Sequence, residues 1–179
     1  MDETELNQLR YPIGKFTPPK SITAEMINEY INTIEDSPAK YREAVRNFTD
    51  EQLDTQYRPG GWTVRQVIHH VPDSHINSYV RFKLGLTEDS PAIKTYDEAK
   101  WAEINDSKDT PVEVSLQLLE SLHKRWVVIL KSMTQKDFEK TVTHPEWGNI
   151  RLDYMLAIYD WHCKHHLAHI LSLKKRMAW

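Results

Sequence analysis

The chain has 179 residues, and its 23 lysines and arginines against 26 aspartates and glutamates give a formal net charge of −3. A chain without a basic excess is not expected to bind nucleic acid or an anionic membrane surface. The single cysteine, Cys163, excludes a disulfide within the chain, and neither an apolar run of membrane-spanning length nor a signal peptide is apparent. We therefore expect residues 1–179 to form one cytoplasmic domain.

Residues 1–20 are expected to form an extended arm, because proline is frequent in the second half of this segment and disfavours a helix. Apolar residues at helical spacing then predict a first long helix over residues 23–48, with a break near Pro38. A further turn of helix is expected at residues 50–53.

The second long helix is predicted over residues 64–86, with Thr63 as its N-terminal cap. Pro72 lies inside this helix, where it removes a backbone hydrogen bond and is expected to bend the axis. Residues 88–110 form a connection of a length that is usually functional.

A third long helix is predicted from Thr110 to about Met133, because threonine is a favoured cap and is followed by proline and then glutamate in the first turn. Its expected core face is Val114, Leu118, Leu119, Leu122, Trp126, Ile129 and Leu130. Thr134 begins a short helix, residues 142–152 form a small hairpin, and the fourth long helix covers residues 153–176. The pattern predicts an all-α protein: a four-helix bundle with a long crossover between the second and third long helices and a small hairpin before the last.

Two of the predicted helices carry histidines on one face. On the last helix His162 and His166 are four residues apart, and His169 falls on the same face. On the second long helix one face carries a polar stripe that consists of His70, Ser74, Asn77 and Arg81. Neutral imidazoles four residues apart can share a metal ion, and a third imidazole from another helix leaves one coordination position open.

Other side chains are expected to support this site. Asp73 and His169 are candidates to hydrogen-bond a ligand ring, and Arg81 is placed to hold a carboxylate of a small molecule. Cys163 points away from His162 and is expected to be a packed thiol. The aromatic residues expected to pack around the site are Trp62, Tyr79 and Tyr159.

The sequence resembles the DinB-like family of metal-dependent bundle proteins over almost its whole length. The resemblance is carried by residues 11–14, 60–70, 73–75, 77–79, 81–84, 91–93 and 96–98 together with the histidines of the last helix. It implies a four-helix bundle of unusual topology, often dimeric, with one zinc or nickel ion held by His70, His162 and His166. One departure is Pro72, where the family pattern has a small residue that is not proline.

The resemblance implies an enzyme acting on a small molecule, but the residues leave three chemistries open. A metal can deprotonate a low-molecular-weight thiol of the bacillithiol type for S-transfer, and it can activate water for hydrolysis, for which Asp73 is the nearest candidate base. The third alternative is a metal-binding bundle without catalysis, which the open coordination position disfavours. Thiol transfer is favoured over hydrolysis because the His-Glu-x-x-His motif is absent: Cys163 follows His162.

Overall fold

The structure, a computed structural model, describes residues 2–179. The helices in this part of the chain are α1 (Glu3–Arg10), α2 (Ala24–Ala44), α3 (Asp50–Leu53), α4 (Val64–Thr87), α5 (Glu98–Trp101), α6 (Asp106–Asp109), α7 (Val112–Ser132), α8 (Gln135–Glu139) and α9 (Leu152–Met177). Strands β1 (Thr141–His144) and β2 (Gly148–Arg151) form an antiparallel hairpin in which Val142 pairs with Ile150. None of the described helices is both long and apolar enough to cross a membrane.

The four long helices α2, α4, α7 and α9 form a four-helix bundle, as the sequence predicts. Helix α2 packs on α9 and α7, and α4 packs on α7 and α9. Helices α2 and α4, although they are successive among the long helices, therefore stand at opposite corners of the bundle. The connection from α4 to α7 includes the short helices α5 and α6, and its residue Ala92 forms a bridge with Thr143 of the hairpin.

The prediction of an extended arm over residues 1–20 is wrong for its first half, where α1 forms. Asp2 caps this helix by accepting from the Glu5 amide, and the Glu5 side chain accepts from the Asp2 amide. This capping box starts the helix, and the first proline comes only at Pro12, after the helix has ended.

Two expectations about the long helices need correction, one about a break within α2 and one about the start of α7. Helix α2 is continuous through Pro38, so the predicted break does not occur. Thr110 does not cap α7, because the helix begins one residue later than predicted and has Pro111 at the cap position. The Thr110 carbonyl instead lies 3.0 Å from Nε2 of His69. Helix α4 also continues through Pro72, with Thr63 as its cap as predicted.

The core consists of two apolar clusters separated by a polar layer. One cluster is built around Trp126, Phe82 and Leu156, and the other around Tyr41, Leu119 and Ile170. The layer between them contains Ser37 of α2, His75 of α4, His123 of α7 and His162 of α9, which are joined by hydrogen-bond contacts.

The predicted core face of α7 is partly wrong. Val114 is 53% exposed and Leu118 is 42% exposed, whereas Leu116, His123 and Val127 are buried. The buried face of α7 is therefore rotated relative to the predicted one, and this rotation places His123 inside the bundle.

Candidate metal centre

Helices α4 and α9 bring His70, His162 and His166 together at the middle of the bundle. A capping box between Thr63 and Gln66 starts α4 two turns before His70. One ring nitrogen from each of the three histidines lies within 4.8 Å of the other two. His70 Nε2 and His162 Nε2 are 3.2 Å apart.

This spacing fits a divalent metal ion. For metal–nitrogen bonds of about 2.0–2.1 Å, tetrahedral geometry separates neighbouring ligand nitrogens by about 3.3 Å. Burial lowers the pKa of His70 to about 4 and lowers the pKa of His162 and His166 well below the usual histidine value, so the rings are neutral at pH 7. Nδ1 of His166 is buried and has no hydrogen-bond partner within residues 2–179. Neutral rings with converging nitrogens are the form of histidine that binds metal.

The partner of the His162 ring is another histidine, which the sequence analysis did not predict. Nε2 of His75 lies 3.0 Å from Nδ1 of His162, and Nδ1 of His75 lies 2.7 Å from Nε2 of His123. Nδ1 of His123 lies 2.6 Å from the carbonyl oxygen of Ile34. His75 and His123 are 0% and 1% exposed, so no solvent competes for these contacts.

The residues that were predicted to support the site occupy different places. The Asp73 carboxylate makes no hydrogen bond to a ligand ring within residues 2–179, and burial together with Asp106 raises its pKa to about 6. Asp106 belongs to α6, which packs on α4. Nε2–H of His169 donates to the Arg10 carbonyl oxygen at 3.0 Å, because a carbonyl oxygen can only accept a hydrogen bond. His169 therefore holds the N-terminal segment, and no hydrogen bond joins it to the three rings in the described chain.

Arg81 and the aromatic residues divide between the site and the core. Arg81 lines the pocket beside the histidines and donates to the Lys94 carbonyl at 2.8 Å. The Trp62 ring lies 4.7 Å from His70, and the Tyr159 ring lies 5.5 Å from His162. Tyr79 instead lies away from the site, beneath the Lys83 and Arg125 side chains. Cys163 is a buried thiol whose pKa is raised by burial to about 12, so it is not a ready nucleophile.

A pocket of about 580 Å³ opens onto the three histidines. Its walls are rich in aromatic rings, which include Tyr11, Trp62, Tyr96, Trp147, Tyr159 and Trp161. Three arginines also line it, Arg10, Arg58 and Arg81, and within residues 2–179 none of them pairs with a carboxylate. Among the described residues that line the pocket, one is acidic, Glu98. The pocket is therefore positively charged although the whole chain is negative.

The N-terminal segment forms one wall of this pocket. Tyr11 stacks on His165 with ring centroids 6.0 Å apart, and the indole N–H of Trp161 donates to the Gly14 carbonyl at 3.2 Å. Phe16 contacts the edge of Trp161. These contacts bring Arg10 to the pocket, a placement that the predicted extended arm did not suggest.

Known proteins resemble this chain along almost its full length. Residues 33–170 match the family described as the DinB superfamily. A Bacillus cereus protein provisionally named a metal-dependent hydrolase is 58% identical over 174 residues, which cover 97% of this chain and 100% of that protein. A protein of Bacillus thuringiensis subsp. konkukian with the same provisional name has the same identity and coverage.

A solved structure shares the fold. YfiT from Bacillus subtilis, described as a probable metal-dependent hydrolase with an unusual four-helix bundle topology, superposes with a TM-score of 0.93 at 50% sequence identity. The match covers 96% of this chain and 99% of YfiT.

Proposed function

The chain belongs to the DinB superfamily, and from this premise we propose that it is a metal-dependent enzyme in which His70, His162 and His166 hold one divalent ion. The observation that carries the proposal is the convergence of three neutral ring nitrogens within 4.8 Å at the floor of a pocket. Three protein ligands leave a coordination position for a small molecule, as in catalytic rather than structural zinc sites. A set of three imidazoles suits zinc and nickel, which are the ions we propose.

The bound ion would supply a Lewis acid that lowers the pKa of a thiol or of water and so makes a nucleophile at neutral pH. The protein's own residues orient the ligand rings and pack around them. His75 orients the His162 ring through the contact at its Nδ1. Trp62 packs against the His70 ring, and Tyr159 packs against the His162 ring.

We propose transfer of a low-molecular-weight thiol of the bacillithiol type as the reaction, with hydrolysis as the second candidate. Hydrolysis with general-base help needs a carboxylate beside the nucleophile. Asp73 makes no hydrogen bond to the histidines in the described chain, and Glu98, although it lines the pocket, is an exposed side chain. A thiol needs no such base, because metal coordination alone deprotonates it. Hydrolysis is supported by the names of the Bacillus cereus relative and of YfiT.

The charge of the pocket favours an anionic substrate or co-substrate. Arg10, Arg58 and Arg81 can each donate charge-assisted hydrogen bonds to a carboxylate or phosphate. The aromatic walls suit an apolar part of the same molecule or of its reaction partner.

The first test is the metal content of untagged protein that has been purified without nickel resin or chelator. We expect about one zinc or nickel ion per chain in the wild type, and none in His166→Ala, because that variant removes one of three ligands. His165→Ala is the matched control, since His165 is the neighbouring buried histidine on α9 and stacks on Trp161 at 4.2 Å. Stoichiometric metal in His166→Ala, or its loss only in His165→Ala, would contradict the ligand assignment.

The second test separates the two reactions. The metal-loaded protein is incubated with bacillithiol and an alkylating electrophile, and separately with a set of esters and amides. Metal-dependent thioether formation supports transfer, whereas metal-dependent hydrolysis without thioether formation supports the second candidate. A metal-bound protein that is inert in both assays would favour a binding module.

A further inference from the structure

We infer that His75 and His123 are positioning residues for the metal centre: they set the tautomer of His162 so that its Nε2 is unprotonated before metal arrives. This inference rests on the proposed metal site and adds two residues, from α4 and α7, that the sequence pattern did not connect with it.

The chain of contacts has a defined direction because it ends on a backbone carbonyl. The Ile34 oxygen can only accept a hydrogen bond, so Nδ1 of His123, at 2.6 Å, must carry a proton. Neutral histidine has one ring N–H, so Nε2 of His123 is an acceptor. The 2.7 Å contact then requires the proton on Nδ1 of His75.

The same logic continues to the metal ligand. With its proton on Nδ1, His75 offers Nε2 as an acceptor, and the 3.0 Å contact requires Nδ1–H on His162. Nε2 of His162 is left with its lone pair, directed at the point shared with His70. In the metal-free protein, His70 Nε2–H donates to this lone pair across 3.2 Å. Metal binding therefore changes the tautomer of His70 and leaves that of His162 unchanged.

A proline in α2 makes the terminal carbonyl available. In a regular helix the amide of residue 38 would bond to the carbonyl of residue 34, but Pro38 has no N–H. The Ile34 carbonyl instead accepts from His123 and from the hydroxyl of Ser37, at 3.3 Å. Pro38, which sequence analysis treats as a helix breaker, has a structural use in an unbroken helix.

Tautomer selection of this kind contributes to metal affinity. A metal-binding histidine usually donates its other ring N–H to a fixed acceptor, and loss of that acceptor typically lowers metal affinity about 10–100-fold. In this protein the acceptor is a second ring, and its own tautomer depends on a third. His123→Phe should therefore weaken metal binding although His123 does not touch the metal site.

The experiment measures ring tautomers and zinc affinity on the full-length chain. Nitrogen-15 NMR of the metal-free wild type should show Nδ1–H on His162, His75 and His123, and zinc should move the His70 proton to Nδ1. Zinc affinity, measured by competition with a chromophoric chelator, should fall at least about 10-fold in His123→Phe. His123→Gln should restore much of the affinity, because its amide oxygen can accept from His75 Nδ1–H.

The matched control is His69→Phe. His69 is also buried on α4 and has two partners of its own, Ser115 at 2.7 Å and the Thr110 carbonyl at 3.0 Å, but it contacts none of the three linked rings. It should lose stability as His123→Phe does and keep wild-type zinc affinity. An Nε2–H tautomer at His162 in the metal-free wild type would overturn the inference, as would equal zinc affinity in His123→Phe and wild type. If the wild type binds no zinc or nickel, the proposed function fails, and the tautomer measurement alone still decides whether the three rings are linked.

Discussion

Acid should destabilise the metal-free protein through His123, and the size of the effect follows from its burial. Burial lowers the pKa of this ring from 6.5 to about 4, so the unfolded chain binds the proton more tightly than the folded chain. The neutral ring therefore contributes its full stability above about pH 6.5 and loses it progressively as the pH falls toward 4. Each pKa unit corresponds to about 1.36 kcal/mol, which predicts a loss of about 2 kcal/mol from this ring between about pH 7.5 and about pH 5.

Urea denaturation with a chelator present measures this effect. The free energy of unfolding is compared between about pH 7.5 and about pH 5 for the wild type and for His123→Phe. The other buried histidines titrate in both proteins, so the difference isolates His123, and the variant should lose about 2 kcal/mol less than the wild type. Equal losses in the two proteins would refute the reasoning, because they would mean that the His123 ring is not held neutral in the fold.

Three further predictions test separate parts of the structure. Zinc at about 100 times its dissociation constant should raise the free energy of unfolding of the wild type by about 2.7 kcal/mol, and denaturation should show no such rise for His166→Ala. Arg81→Gln should raise the KM for an anionic co-substrate roughly 10-fold or more, because a charge-assisted hydrogen bond contributes about 1.5–3 kcal/mol. Arg42→Gln, which removes a side chain paired with Glu113, is the control and should leave this KM unchanged. Gly85→Val should destabilise the protein by about 1–3 kcal/mol in thermal denaturation, because a Cβ at this position would lie 3.0 Å from the Val142 side chain and 3.1 Å from the Leu152 side chain. Unchanged stability would mean that α4 does not approach the hairpin so closely.

The bundle could be predicted from the sequence because its long helices carry local signals. Thr63 caps α4 as predicted, and Thr23 and Thr134, where the sequence places the starts of two helices, cap α2 and α8; each side chain accepts from an amide in the first turn. The prediction at Thr110 is wrong although the local sequence is as favourable, because helix α7 begins one residue later and the Thr110 carbonyl contacts His69. A tertiary contact therefore decides a boundary that propensity cannot.

The histidine site was predictable only where its residues share a helix face. His162 and His166 are one turn apart, and the structure brings them to His70. His75 lies about 140° around α4 from His70, at 100° per residue, so it faces α7 and no face argument connects it with the site. His123 was hidden for a related reason: the face of α7 was assigned from its leucines and valines, and the rotation that buries His123 depends on how α7 packs between α2 and α4.

The polar layer that lies between the two apolar clusters contributes little net stability, which points to a role beyond folding. A hydrogen bond inside the fold replaces one to water and stabilises by only about 0.5–1.5 kcal/mol, whereas one buried N–H left without a partner costs about 1–3 kcal/mol. The double variant His75→Phe/His123→Phe should therefore be about as stable at neutral pH as His123→Phe, because each leaves one buried N–H unpaired: that of His162 Nδ1 in the double variant and that of His75 Nδ1 in the single one. It should also bind zinc more weakly than the single variant, since it lacks His75, the acceptor for His162 Nδ1–H that the single variant keeps. Chemical denaturation and chelator competition on the same two proteins would measure this separation of stability from metal affinity. A double variant that is much less stable than the single one would instead make the layer a structural element of the core.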